Sequence, residues 1–267
     1  MEAVTTPHAA PVRPSSRSRL LLPREHGTYG QIALPLIAAL LARPVTFGAT
    51  ALTVAAFAFY LAHEPLLVIA GLRGSRARRE DGARAHAWLA VCTLIGALAG
   101  TIGALRVPDA ARVALVIPVG LSLAVGAFIL ARRERTLAGE VTAACALASA
   151  SVPVLIADGV SVTHALWALV AWSVGFGAVT PAVRGVIAHQ KSPVTLVKRL
   201  APLSVPWALW CVMVAASAPP ATVLAALPLL VVASVLSVWP PYPQHLRRIG
   251  WALVAATVVA TAAITRV

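Results

Sequence analysis

The chain has 267 residues, of which 59% are hydrophobic and 12% charged, with a net charge of +13 at pH 7. A soluble chain carries about a quarter charged residues, so this one lacks the polar surface to coat a water-soluble globule and has hydrocarbon as its solvent. Nucleic-acid binding is excluded because the Lys and Arg residues lie in short clusters between apolar runs, not along one continuous face interleaved with base-reading side chains.

Residues 1–19 contain Pro, Ser, Thr and Arg with no apolar run of a cleavable signal, and read as a mobile cytoplasmic tail before a single transmembrane domain over residues 20–267. A helix crossing about 30 Å of hydrocarbon needs roughly 20 apolar residues. In chain order the candidates are Gly27–Ala42, Thr46–Leu72, His86–Leu105, Ala111–Leu130, Leu137–Ala157, His164–Ile187, Thr195–Ala216, Pro220–Trp239 and Ile249–Ile264. The alternating ten-residue segments of a β-barrel are absent. The expected fold is therefore all-α, a polytopic bundle of about nine transmembrane helices.

The basic residues set its direction. With the N-terminus inside, the cytoplasmic segments hold Arg13, Arg17, Arg19, Arg24; Arg73, Arg76, Arg78, Arg79, Arg84; Arg132, Arg133, Arg135; Arg184, Lys191, Lys198, Arg199; and Arg247, Arg248. The other side receives Arg43, Arg106, Arg112 and Arg266, as the positive-inside rule requires, and one helix more or fewer would scramble the alternation. The expected location is the bacterial cytoplasmic membrane, and the expected partner is its lipid bilayer.

Within the spans, Gly96 and Gly100 have the spacing that lets a second helix approach. Pro35, Pro65, Pro118, Pro153, Pro181, Pro206 and Pro228 each remove a backbone donor and read as kinks. Cys92, Cys145 and Cys211 lie in apolar stretches without a CxxC and read as small buried hydrophobes.

Carboxylates in hydrocarbon are expensive, so the few near the spans carry the functional information. Glu25 and His26 open the first helix, His63 and Glu64 lie near the end of the second, and Glu140 sits in the first turn of the fifth. All three positions approach the cytoplasmic side, where a shared cavity would relieve their burial. Their flanks are basic: Arg24, Arg73, Arg133 and Arg135. Three readings stand side by side: internal ion pairs of Glu64 and Glu140 with Arg, an anion-binding vestibule of Arg side chains, and a divalent metal held by Glu25, His26, His63, Glu64 and Glu140. Adjacent residues point about 100° apart on a helix, so neither His–Glu doublet easily offers both side chains to one ion. No cofactor is expected.

The runs LLPREHGTYGQIALPLIAALL (Leu21–Leu41), HEPLLVIAGLRGSRARRE (His63–Glu80), RRERTLAGE (Arg132–Glu140) and RRIGWALV (Arg247–Val254) resemble the YwiC-like family of bacterial membrane proteins. That resemblance implies a membrane-embedded protein and brings no activity with it. A more distant similarity of layout is to the UbiA-like prenyltransferases, which implies nine helices and working loops after helices two and six. Their Asp-rich motifs hold Mg²⁺ and a prenyl diphosphate. The corresponding segments here, Gly71–His86 and Pro181–Lys191, offer only Glu80 and Asp81 between them, so Mg²⁺-dependent prenyl transfer is not implied. Three functions follow as expectations: binding or processing of an amphiphilic, isoprenoid-type lipid, transport of a small anion or proton-coupled solute, and service as a non-catalytic membrane subunit. Whether the protein is an enzyme, and its oligomeric state, are left open.

Overall fold

The computed structural model describes residues 21–22, 26–191, 194–242 and 245–266, leaving aside a few side chains at their edges, and the described residues are all helix, turn or link. The 1–19 tail lies outside them. Eight helical segments are long and apolar enough to cross a membrane, and Gly27–Ala42 is a shorter ninth, so the expected spans are all present among the described residues. The bundle is polytopic and all-α.

The first two helices are α1 (His26–Ala42) and α2 (Phe47–Ile69), followed by α3 (Ser75–Arg106). Antiparallel pairing of α2 with α3 is built on small residues. A Cβ on Gly48 would meet Val107, one on Gly103 would meet Leu52, one on Gly100 Ala55 and one on Gly96 Phe59, an unbroken register along the pair. With lipid tails as apolar as the side chains, such close backbone approach is what holds helices together. The expected packing role of Gly96 and Gly100 is thus met, and extended by Gly48 and Gly103.

Prolines divide the next spans. α4 (Asp109–Ala114) gives way to α5 (Val116–Leu130) at Leu115, and α6 (Leu137–Ser149) to α7 (Ser151–Ala157) at Ala150. Pro118 and Pro153 lie three residues beyond these breaks, and neither can donate to the carbonyl one turn earlier. α8 (Val162–Lys191) runs unbroken through Pro181. A short α9 (Leu196–Leu200) passes through a 3-10 turn containing Pro202 into α10 (Ser204–Ala215), and α11 (Pro220–Val238) and α12 (Leu246–Ile264) complete the chain. Pro35, Pro65, Pro181 and Pro228 remain inside continuous helices, so the expectation of kinks is met by breaks only at some prolines.

The core lies around α7, every residue of which is buried. It packs against α1, α2, α4 and α8, and α8 in turn contacts α6, α10 and α11. Trp172 of α8 is the largest fully buried side chain and stacks on Phe176 at 5.5 Å. The periphery is apolar: α5 buries no residue, and Leu94, Leu98, Leu105, Leu123, Val205 and Val212 all face outward. Such a surface is stable only against lipid. Cys92 is buried and Cys145 partly so, but Cys211 is exposed on α10, which corrects the expectation that all three are buried.

Several hydroxyls within the spans are satisfied locally, whereas Trp88 Nε1, Trp172 Nε1 and Ser237 Oγ are buried with no partner among the described residues. Thr53, Thr180, Ser234, Thr257 and Thr261 each return a hydrogen bond to a carbonyl one turn earlier. Helix ends close with Schellman turns at Gly71 (φ +75°) and Gly159 (φ +90°), where Leu72 N–H donates to Leu67 and Val160 N–H to Leu155. Arg132 takes the same left-handed conformation (φ 54°) at the end of α5, with no glycine to ease it.

Two links tie one end of the bundle. Gly48 abuts Arg106, and the Oδ1 of Asp158 accepts the Thr46 N–H at 2.7 Å, joining the α1–α2 and α7–α8 connections. This end bears few basic residues, and the opposite end is called the basic end below. Asp158 is only 8% exposed, and burial raises its carboxyl above the ordinary value of 3.8 despite the Thr46 bond. The folded state therefore holds this proton more tightly than the unfolded chain, so stability is fullest below about pH 3.8 and declines as pH rises through the raised folded value. Asp158→Asn keeps an acceptor for Thr46 and buries no charge. Its thermal midpoint in detergent is expected to gain on wild type more at pH 8 than at pH 4; a pH-independent difference would refute the assignment.

Candidate functional site

Glu64 lies five residues before the end of α2 and is 3% exposed. A bare carboxylate there would be stranded in hydrocarbon, at several kcal/mol by the lower estimates of about 2.5 and upward. The Schellman turn at Gly71 reverses the chain just beyond α2, and Gly74 (φ +95°) starts α3, so Arg73 between them folds back onto the helix it has left. Its Nε donates to Glu64 Oε1 at 2.9 Å and its Nη2 to Oε2 at 2.5 Å, the two-pronged geometry in which a planar guanidinium matches a carboxylate. Arg73 itself is 24% exposed and caps the pair towards the basic end.

Around this pair α1 contributes aromatic and hydroxyl groups. Thr28 Oγ1 and Tyr60 Oη are 2.5 Å apart, the rings of Tyr29 and Tyr60 meet edge to face at 5.3 Å, and Tyr29 is within Coulombic reach of Glu64. Thr28 and Tyr29 of α1 therefore form one polar cluster with Tyr60 and Glu64 of α2. His63 is half-buried beside Glu64 and points elsewhere around the helix, as adjacent helical residues must. Arg24 and Glu25 lie outside the described residues, as does the side chain of His26, whose backbone opens α1.

A second cluster stands at the start of α6. Thr136 caps that helix by accepting the Gly139 N–H, and its own hydroxyl donates to the Arg133 carbonyl at 2.7 Å. A Cβ on Gly139 would come within 2.6 Å of that same carbonyl oxygen, so only glycine lets the 131–136 turn lie this close. Glu140 follows in the first turn, where the helix dipole favours an acid. Its partner comes from α8: Arg184 Nη1 donates to Glu140 Oε1 at 2.7 Å and to the Arg135 carbonyl at 2.8 Å. Arg133 and Arg135 themselves point outward and are exposed. Arg184, across 44 residues, stands where a neighbour from the RRER run was the obvious candidate.

Beside Arg184 opens a cavity of about 460 Å³ between α8, the start of α6 and α9. Its lining is mixed, with Arg184, Lys198 and Arg199 beside the apolar Leu137, Ile187, Val194 and Pro202. His189 Nδ1 accepts the N–H of Val194, one of the residues lining the cavity, at 3.0 Å. Neither Glu64 nor Arg73 lines it, so the structure places the polar residues expected to share one cavity in two clusters. Ion pairing of Glu64 and of Glu140 with Arg is found at both. Among the described residues no three His, Cys, Asp or Glu side chains converge as metal ligands, and Glu64 and Glu140 each face a guanidinium.

Both segments expected as working loops are corrected to helix. α3 begins at Ser75, and its Arg76–Glu80 and Arg84–Asp81 pairs at helical spacing support the turns that hydropathy alone left outside the span. At 32 residues, about 48 Å at 1.5 Å per residue, α3 must project beyond the hydrocarbon. Pro181–Lys191 is wholly within α8. Arg184, Lys198 and Arg199 were legible only as cytoplasmic charge; the sequence signal for a site was a pair of basic residues close to Pro181 and Pro202.

Arg73→Ala leaves a carboxylate buried without its counter-ion and is expected to destabilise by about 3–5 kcal/mol. Joining it to Glu64→Gln should recover most of that loss, as a double-mutant cycle in mixed-micelle unfolding would measure. Equal, additive effects would mean that the pair does not act as a unit.

A family model described as YwiC-like protein matches residues 22–156. The match runs from the start of the first helical motif to the penultimate residue of α7, taking in the Glu64 cluster and Glu140 and ending before α8. None of the curated proteins and none of the solved structures matches the chain.

Proposed function

This chain belongs to the YwiC-like protein family, and from that premise we propose that it binds an amphiphilic, isoprenoid-type lipid whose polar end enters the cavity at the basic end. The observation that carries this reading is the mixed lining of the cavity, which combines three cationic side chains with apolar ones. Its volume falls within the roughly 300–1,000 Å³ of small-molecule sites, which combine apolar walls with a few placed polar groups. One wall is α9, whose Leu196 and Val197 face outward, so an acyl or isoprenyl chain reaches the bilayer without crossing the polar clusters.

The distant resemblance of layout to the UbiA-like prenyltransferases supports a lipid ligand, and the segments compared with their working loops are rich in Arg and carry only Glu80 and Asp81 as acids. The Glu64–Arg73 pair acts as the brace. It neutralises the deepest acid of the spans and fixes the turn from α2 to α3, leaving the ligand to the α6–α8–α9 cavity. By the positive-inside rule the basic end faces the cytoplasm of a bacterial cell, and the ligand is drawn from the inner leaflet of its cytoplasmic membrane.

Ala188 lines the cavity, and Ala188→Trp fills it while keeping both partners of each ion pair in the chain. Wild-type protein purified in mild detergent is expected to carry one amphiphile stoichiometrically in native mass spectra, and Ala188→Trp to lose it while migrating as the same species in size exclusion. Identical lipid content in the two proteins would end this reading.

A further inference from the structure

Arg199 lines the cavity with buried donors that no described residue accepts. Its Nε and Nη1 are buried and have no acceptor among the described residues. The side chain is held in place: its stem passes over Gly185 of α8, where a Cβ would sit 3.9 Å from Arg199 Cγ. A buried guanidinium keeps its charge, and its fork of N–H groups wants oxygen acceptors, two of them side by side. Leaving such donors empty is unfavourable enough that buried polar groups are nearly always paired, by the protein or by something it binds.

The charge around Arg199 points the same way. Arg184 is already engaged by Glu140, and among the described residues no Asp or Glu lines the cavity. Lys198 and Arg199 therefore have no counter-ion among the described residues. A phosphate monoester carries between about −1.5 and −2 at neutral pH and presents three acceptor oxygens. A carboxylate would balance only one of the two charges, and a zwitterionic headgroup neither.

We propose that Arg199, with Lys198 and the Glu140-anchored Arg184, binds a phosphate monoester group in this cavity. Arg199 meets phosphate oxygens along the guanidinium edge that includes its unpartnered Nη1, Lys198 supplies the second charge, and Arg184 positions the α6–α8 wall. These residues lie beyond the segment matched to the family, so they are a property of this chain's own second half. The assignment names the headgroup of the amphiphile proposed above and rests on that reading only for the apolar part of the ligand. The same chemistry is offered by a lipid phosphate and by free phosphate.

The test is thermal unfolding of the full chain in nonionic detergent, titrated separately with dioleoyl phosphatidic acid, dioleoyl phosphatidylcholine and inorganic phosphate. Wild type, Arg199→Ala, Arg199→Lys, Lys198→Gln and the remote, exposed Arg79→Ala are compared. Arg199→Ala abandons no protein partner, so its midpoint without ligand is expected to match or exceed wild type; Lys198 is exposed, and Lys198→Gln gives a second variant whose folding is not at stake. Phosphatidic acid is expected to protect wild type and Arg79→Ala, with affinity roughly tenfold or more weaker in Arg199→Ala and partly restored in Arg199→Lys. Protection by inorganic phosphate that also depends on Arg199 upholds the phosphate site while assigning it to a free anion and removing the lipid reading. Equal protection by phosphatidic acid and phosphatidylcholine, unchanged in Arg199→Ala, overturns the phosphate site and leaves the lipid reading intact. If neither phosphate probe protects wild type, the phosphate site falls, and native mass spectra of the cavity-filled Ala188→Trp protein then decide the lipid reading separately.

Discussion

Hydrocarbon offers no hydrogen bond to anything placed in it, and the architecture is a response to that shortage. Each backbone group, hydroxyl and charge within the spans must find its partner in the chain. Thr53, Thr180, Ser234, Thr257 and Thr261 return their protons to their own helices, and the broken spans place their gaps just ahead of prolines that could not have donated there. Glu64 is the extreme case. No residue of α2 offers it a cation, so the partner has to come from the turn that follows, and the left-handed glycine at position 71 makes that return geometrically available.

The same constraint explains why small residues carry the packing. Between helices surrounded by lipid there is little hydrophobic gain in contact, and the attraction comes from surfaces brought close together. Gly48, Gly96, Gly100 and Gly103 let α2 and α3 meet along their whole shared length, and α7, seven residues without an exposed side chain, fills the centre. Where the bundle is loosest is also where it is interrupted. α9 and α10 are separated by the Pro202 turn and bury few residues, and the cavity opens beside them. Irregular backbone at this depth is tolerated where it borders a cavity and not where it faces lipid.

Charge at the basic end is divided between two tasks. Arg73 and Arg184 are matched to carboxylates and hold helices in place, one between neighbours in sequence and one between α6 and α8. Among the described residues Lys198 and Arg199 are matched to nothing acidic in the cavity they line, which separates a structural class of basic residue from one available to a ligand. The Glu140–Arg184 bridge connects the two, because it sets the wall against which the unmatched pair is presented.

The amino-acid sequence by itself determined the solvent, the nine apolar segments, their alternating direction and the identity of the acids that would need partners, because hydropathy and charge tallies are local quantities that survive without a fold. It also made pairing of Glu64 and Glu140 with arginine an expectation. Only the tertiary structure decided which arginine: Arg73 through a turn of nine residues, and Arg184 across two helices, where Arg133 and Arg135 stood nearer in sequence and yet face outward. It likewise decided that the segments after the second and sixth spans are helical, since ion pairs such as Arg76–Glu80 extend a helix past the point where apolar content ends. And it separated the polar residues into two clusters and gave Arg199 a buried, unmatched position, because whether a charge is satisfied depends on distances between elements that no single stretch of sequence contains.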